Sequence, residues 1–118
     1  MSQQLESNSF LLQIEESLQK EENQNSSERL LFLSVLLQAL LDATKPQASS
    51  EPEEAIDARR SAQSWFFASI GVTAEDFNTV CDMAGIDPSL MRGFAFKVLR
   101  SKEIKYVRKR INTVLSTR

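Results

Sequence analysis

The chain has no histidine, and among its 118 residues it has one cysteine, one tryptophan and one tyrosine. With no imidazole and with Cys81 alone, neither a zinc site nor a Cys-His or Ser-His hydrolase constellation can be assembled. No metal, cofactor or small-molecule substrate is therefore expected, and the protein is not expected to be an enzyme. A single thiol also excludes an intramolecular disulfide and fits a reducing, cytoplasmic setting. The three glycines, Gly71, Gly85 and Gly93, stand far apart, so there is no Gly-rich phosphate loop. The most apolar run, Leu30 to Leu41, is twelve residues long and includes Ser34 and Gln38, whereas a membrane span needs about twenty. Met1 to Ser9 are polar and lack the positive start of a secretory signal. The carboxylates of Glu15, Glu16, Glu51, Glu53 and Glu54 fall on solvated helix faces and at a helix start, where they need no catalytic explanation.

Acid is also scarce in one particular place. Positions 92–118 hold nine of the fourteen Lys and Arg residues but one of the sixteen Asp and Glu residues. That segment carries +8 and the rest of the chain −10, which sum to the net −2. A near-neutral total thus conceals a strongly dipolar molecule, the charge pattern of a protein that grips a polyanion through its C-terminal part.

With three Gly and three Pro, and apolar residues recurring every three or four positions, the chain reads as all-α. A compact bundle of about five to six helices is expected. Its length suits one modest core. Residues 1–24 are assigned an acidic amphipathic helix, mobile or packed, with Phe10, Leu11, Ile14 and Leu18 on one stripe. Residues 25–118 form a single helical domain. Its first helix, Glu28 to Ala43 with Ser26 or Ser27 as cap, is apolar on nearly every side. Such a helix must be surrounded, either by the rest of the chain or by a second copy or partner meeting Leu33, Leu37 and Leu40. Thr44 to Pro52 is a linker. Ser50 and Glu53 have capping-box spacing and open a helix running to about Ser69, with Ala55, Ala58, Ala62, Trp65 and Phe66 buried and Arg59, Arg60 and Gln63 in water. Gly71 is expected to end it.

Thr73 caps a short helix to Ala84, on which Phe77, Val80, Cys81 and Ala84 share one face. Gly85 supplies a left-handed turn and Ile86 an apolar plug. Asp87 and Pro88 start the next helix, Pro88 to Arg100, as cap and first residue. Leu90, Met91, Phe94, Ala95 and Val98 are expected inside. A small residue at Cys81, Gly four later, then Ile86, Met91 and Phe94 is the spacing of a helix-turn-helix over 73–100. The outward face of its second helix presents Ser89, Arg92, Gly93, Phe96, Lys97 and Arg100. Arg92 is the expected base reader, with guanine the preferred partner of an arginine fork. A basic terminal helix, Ser101 to Leu115, carries Lys102, Lys105, Arg108 and Lys109 toward a phosphate backbone. The alternative is a solvated helix whose cations answer its own dipole or the acidic N-terminal half, which one acid among nine bases disfavours; an anionic membrane surface is weaker still, because the apolar stripe is needed for the core.

The stretch Trp65 to Arg92, particularly Asp76-Phe77, Val80-Cys81, Ala84-Gly85-Ile86-Asp87-Pro88 and Arg92, resembles small helix-turn-helix proteins of bacterial prophages and gene transfer agents. Upstream, Val35 to Leu40 with Asp42-Ala43 is similar to the same group, so the resemblance spans about Leu30 to Leu99. It implies a DNA-binding transcription regulator or a packaging component. In small phage terminases the helix-turn-helix precedes the oligomerisation helices, the reverse of the order here. The expectation is therefore a regulator that binds double-stranded DNA, with a homodimer or an RNA polymerase contact through the N-terminal helices. The alternatives are a protein-interaction adaptor and a packaging protein.

Overall fold

A computed structural model describes residues 9–16 and 26–116, and among these residues the regular structure is all helix, with no strand. Six helical segments follow one another: α1 (residues 9–16), α2 (Ser26–Ala43), α3 (Glu53–Phe67), α4 (Gly71–Ala84), α5 (Pro88–Arg100) and α6 (Ile104–Ser116). The expected Leu18 and the polar break after Glu22 lie outside the described residues. So does the cap of α2, which begins at Ser26 rather than after a serine cap.

The apolar helix α2 forms the centre. It packs against α3, α4 and α6, and it runs antiparallel to α4, since Arg29 near its start lies beside Gly85 at the end of α4. Leu36 and Leu37 are 0% exposed. Leu33 and Leu40, expected with Leu37 at an interface, are likewise sealed inside the chain's own core. This corrects the interface assignment. Hydrophobicity on every side said that α2 is surrounded but not by what, and the described helices suffice for these three positions. The side left open instead carries Leu31 and Val35, four residues apart on one face.

Residues 9–16 are packed, not loose. Leu11 and Ile14 are buried, and the Phe10 ring lies 4.5 Å from that of Phe94 on α5. Glu15 clamps Arg110 of α6 through both carboxylate oxygens, at 2.6 and 3.2 Å. A second aromatic cluster joins α3 to α4, with Phe77 meeting Trp65 edge-on at 5.1 Å and Phe66 at 5.5 Å. The Trp65 indole N–H donates to Asp76 at 2.7 Å, so the half-buried ring keeps its polar edge satisfied.

The starts of α3 and α4 and one face of α3 differ from expectation. Pro52, not Ser50, occupies the N-cap of α3, with no side-chain capping bond; the neighbouring Glu51 instead reaches along the helix to pair with Arg59. Arg59 is therefore buried rather than solvated, Gln63 is half-buried, and Ala58 is exposed. Gly71 does not end α3. With φ of +91° it turns the chain directly into α4, after Ile70 at the N-cap, and Thr73 lies inside the helix. At α5 the expectation holds: Gly85 takes the left-handed conformation at φ 76°, and the Asp87 carboxylate accepts from the N–H groups of Ser89 and Leu90 with Pro88 leading the helix. Leu90 is 61% exposed, however, because it falls outside the arc covered by Met91, Phe94, Ala95 and Val98.

Candidate nucleic-acid interface

The last turns of α2 and α3 contain no basic residue. Their free carbonyls, the negative ends of two helix dipoles, need donors from elsewhere. Two arginines of the C-terminal segment supply them. Arg92 donates from Nε to the Phe66 carbonyl at 2.9 Å, with its guanidinium 4.8 Å from the centre of the Phe77 ring. Arg108 donates to the Leu41 carbonyl and, at 2.8 Å, to the Thr44 hydroxyl, which itself bonds the Leu40 carbonyl. The amide of Gln63 adds a bond to the Ala43 carbonyl at 2.9 Å. Arg92 is thus half-buried and turned toward α3, not outward to read a base. Arg108 is likewise held by the end of α2, although it still lines the surface beside it. A sequence signal for both roles existed: two helices ending without Gly, Lys or Arg.

Arg110 is engaged too. Its clamp on Glu15, a bond to the Tyr106 hydroxyl at 3.2 Å and the ring beneath it hold the guanidinium. The hydrogen bond to Glu15 raises the Arg110 pKa, partly opposed by burial. This is the contact between basic tail and acidic N-terminal half that the charge pattern anticipated, and it lies to one side of the α6 surface that carries the lysines.

The other expected residues do reach the surface. On α5, Ser89, Gly93, Phe96, Lys97 and Arg100 are exposed along one face. Phe96 rests edge-on against Phe67 at 6.2 Å, and the Arg100 guanidinium lies 5.0 Å over its ring. Lys102 is exposed at the α5–α6 connection, where the Ser101 hydroxyl accepts from the Glu103 N–H at 2.8 Å. On α6, Lys105 and Lys109 stand one turn apart at the rim of a shallow concavity of about 540 Å³, lined also by Pro46, Arg108, Asn112, Thr113 and Ser116. Lys105, Arg108, Lys109 and the Asn112 amide bring N–H donors to it, the Thr113 and Ser116 hydroxyls already donate to the Lys109 and Asn112 carbonyls, and no lining residue is acidic. The concavity gathers Lys105, Arg108 and Lys109; Ser89, Phe96, Lys97 and Arg100 form a separate strip on α5.

No family model, known protein or solved structure matches the chain. The resemblance to prophage proteins rests on the residues quoted for it. Among the described residues no group of three or more His, Cys, Asp or Glu is placed to hold a metal ion, and no helix is long and apolar enough to cross a membrane.

Proposed function

We propose that the protein is a small DNA-binding regulator that holds the phosphate backbone on α6 and presents the outer face of α5 to a groove. The observation that carries this reading is the acid-free concavity on α6, whose cations and amide match the acceptor oxygens of successive phosphates. The α4–α5 corner, with its left-handed Gly85 and capped Asp87-Pro88 start, supports a helix-turn-helix arrangement. In it, Ser89 near the N-terminal end of α5 and Lys97 and Arg100 farther along replace Arg92 as the groove-facing set.

The test is fluorescence-anisotropy titration of labelled mixed-sequence duplex DNA at several salt concentrations. If about five phosphates are neutralised, log affinity falls against log salt with a slope near −4 to −5. Lys105→Ala/Lys109→Ala flattens that slope by about 1.8, at about 0.9 per lost contact. Absence of binding at low salt, or a slope near −1, contradicts the reading. An adaptor role has one observation in its favour. Ile70, Val72, Leu90 and Phe96 are 84, 83, 61 and 51% exposed, an apolar display that a protein partner would cover. Binding of a protein partner that is lost in Phe96→Ala and untouched by Lys105→Ala/Lys109→Ala would favour it.

A further inference from the structure

The basic segment at 92–118 leaves five Lys and Arg residues elsewhere in the chain: Lys20, Arg29, Lys45, Arg59 and Arg60. Three of these five converge on one spot. A second concavity, of about 310 Å³, opens between the end of α2, the middle of α3 and the α5–α6 connection, and Lys45, Arg59 and Arg60 line it together with Gln47 and Gln63. Pro46 belongs to the linings of both this hollow and the one on α6. The two linings together hold six Lys or Arg residues and no Asp or Glu, in a chain with more acids than bases.

Within this set the roles divide by what already holds each cation. Arg59 is paired with Glu51 through two bonds, and Arg108 is tied to the end of α2. Lys45, Arg60, Lys105 and Lys109 are exposed and have no salt bridge among the described residues, and the Lys45 charge is felt by the Glu51 carboxylate that pairs with Arg59. Two of them stand on each side of Pro46, the pair on α6 one helical turn apart and the other pair on the linker and on α3. A ring with no N–H and no charge, between two pairs of cations, suits a ligand that carries its charge at intervals rather than at a point. A nucleic-acid strand does this, with one phosphate per nucleotide.

We infer that Lys45 and Arg60 form a second phosphate-binding site, and that the backbone held by α6 continues over Pro46 into the hollow against α3. This inference rests on the DNA-binding reading and extends it. The contact is sequence-independent, since it reaches phosphates and no base edge. It also makes the linker after α2 part of the binding surface.

The experiment measures duplex binding by the full-length protein across 50–200 mM salt for four proteins: the wild type, Lys45→Ala/Arg60→Ala, Lys105→Ala/Lys109→Ala, and Gln38→Glu/Asn78→Glu. The last pair lies on exposed faces of α2 and α4 and matches the charge change of −2 without touching either concavity. Lys45→Ala/Arg60→Ala is expected to flatten the salt slope by about 1.8, so the affinity lost between 50 and 200 mM shrinks about 12-fold relative to wild type. The charge-matched control keeps the wild-type slope. If Lys45→Ala/Arg60→Ala behaves as that control while the α6 pair still flattens the slope, the second site is refuted and the α6 reading stands. If the wild type does not bind duplex at 50 mM, both fall. Tighter binding of a poly-glutamate peptide than of DNA, lost in the same variants, would make the occupant an acidic protein segment and overturn the inference.

Discussion

Gly93 lies within α5, on its exposed face, and a methyl group built there meets no atom within 4 Å beyond its chain neighbours and its own helix backbone. Its φ is ordinary for a helix, since only Gly71 and Gly85 are positive. Gly93→Ala therefore adds no clash and no strain. It removes the helix-interior penalty of glycine, about 0.8–1.0 kcal/mol relative to alanine, most of which reflects the freedom of the unfolded chain. For 118 residues, an unfolding entropy of about 2.1 cal/mol/K per residue turns 1 kcal/mol into a rise in Tm of about 4 °C. Thermal melts followed by circular dichroism, with urea titrations at constant m, measure it. A lowered Tm would refute the reasoning, because it would mean that a neighbour occupies the space beside Gly93. The same variant probes function. If α5 lies against DNA, the added methyl obstructs the close approach that glycine permits, so affinity falls while stability rises, an opposition that a fold defect cannot produce.

Two further outcomes concern Glu51 and Cys81. The Arg59 guanidinium beside Glu51 holds that carboxyl below its ordinary value of 4.5. Glu51 is thus more acidic folded than unfolded; its contribution is fully present above the ordinary value and lost as pH falls through the depressed one. Glu51→Gln should make urea stability less dependent on pH across that acidic window, and an unchanged profile would show that the pair contributes no linkage. Burial pushes the Cys81 thiol up to about 12, and its side chain is 0% exposed. Labelling by a thiol reagent at pH 8 should therefore wait on opening of the core and accelerate in step with destabilising variants; reaction at the rate of a free thiol would place Cys81 elsewhere.

The parts of this fold that were legible in the sequence are those written locally. Gly85, Asp87 and Pro88 specify the α4–α5 corner within four residues, and α5 runs from Pro88 to Arg100 as its start signal and apolar spacing required. Cations were harder to place, because a long side chain reaches donors and acceptors that spacing along the chain does not reveal. Arg92 finds its carbonyl 26 positions away and Arg108 finds one 67 away. Both read as surface charge, and both proved to be the missing caps of other helices. Lys45 and Arg60 escaped notice for the converse reason: each is unremarkable in its own segment, and only the packing of α3 and α6 on either side of Pro46 joins them to the lysines of α6. The leucines of α2 show a third limit, since an apolar helix reports that it is covered without identifying the cover.

The clamp between Glu15 and Arg110 joins residues 95 positions apart, and it sets a timetable for synthesis. At about 5–20 residues per second, a ribosome needs roughly 5–20 s to travel from one to the other. Within that interval Ile14 waits for the α4–α5 corner beside it, at Gly85 to Leu90, and Phe10 waits for Phe94. The nascent chain thus holds Phe10 and Ile14 without these partners until the α4–α5 corner and α5 are made. During those seconds the apolar face of α1 is open to chaperones and to neighbouring nascent chains on the same message.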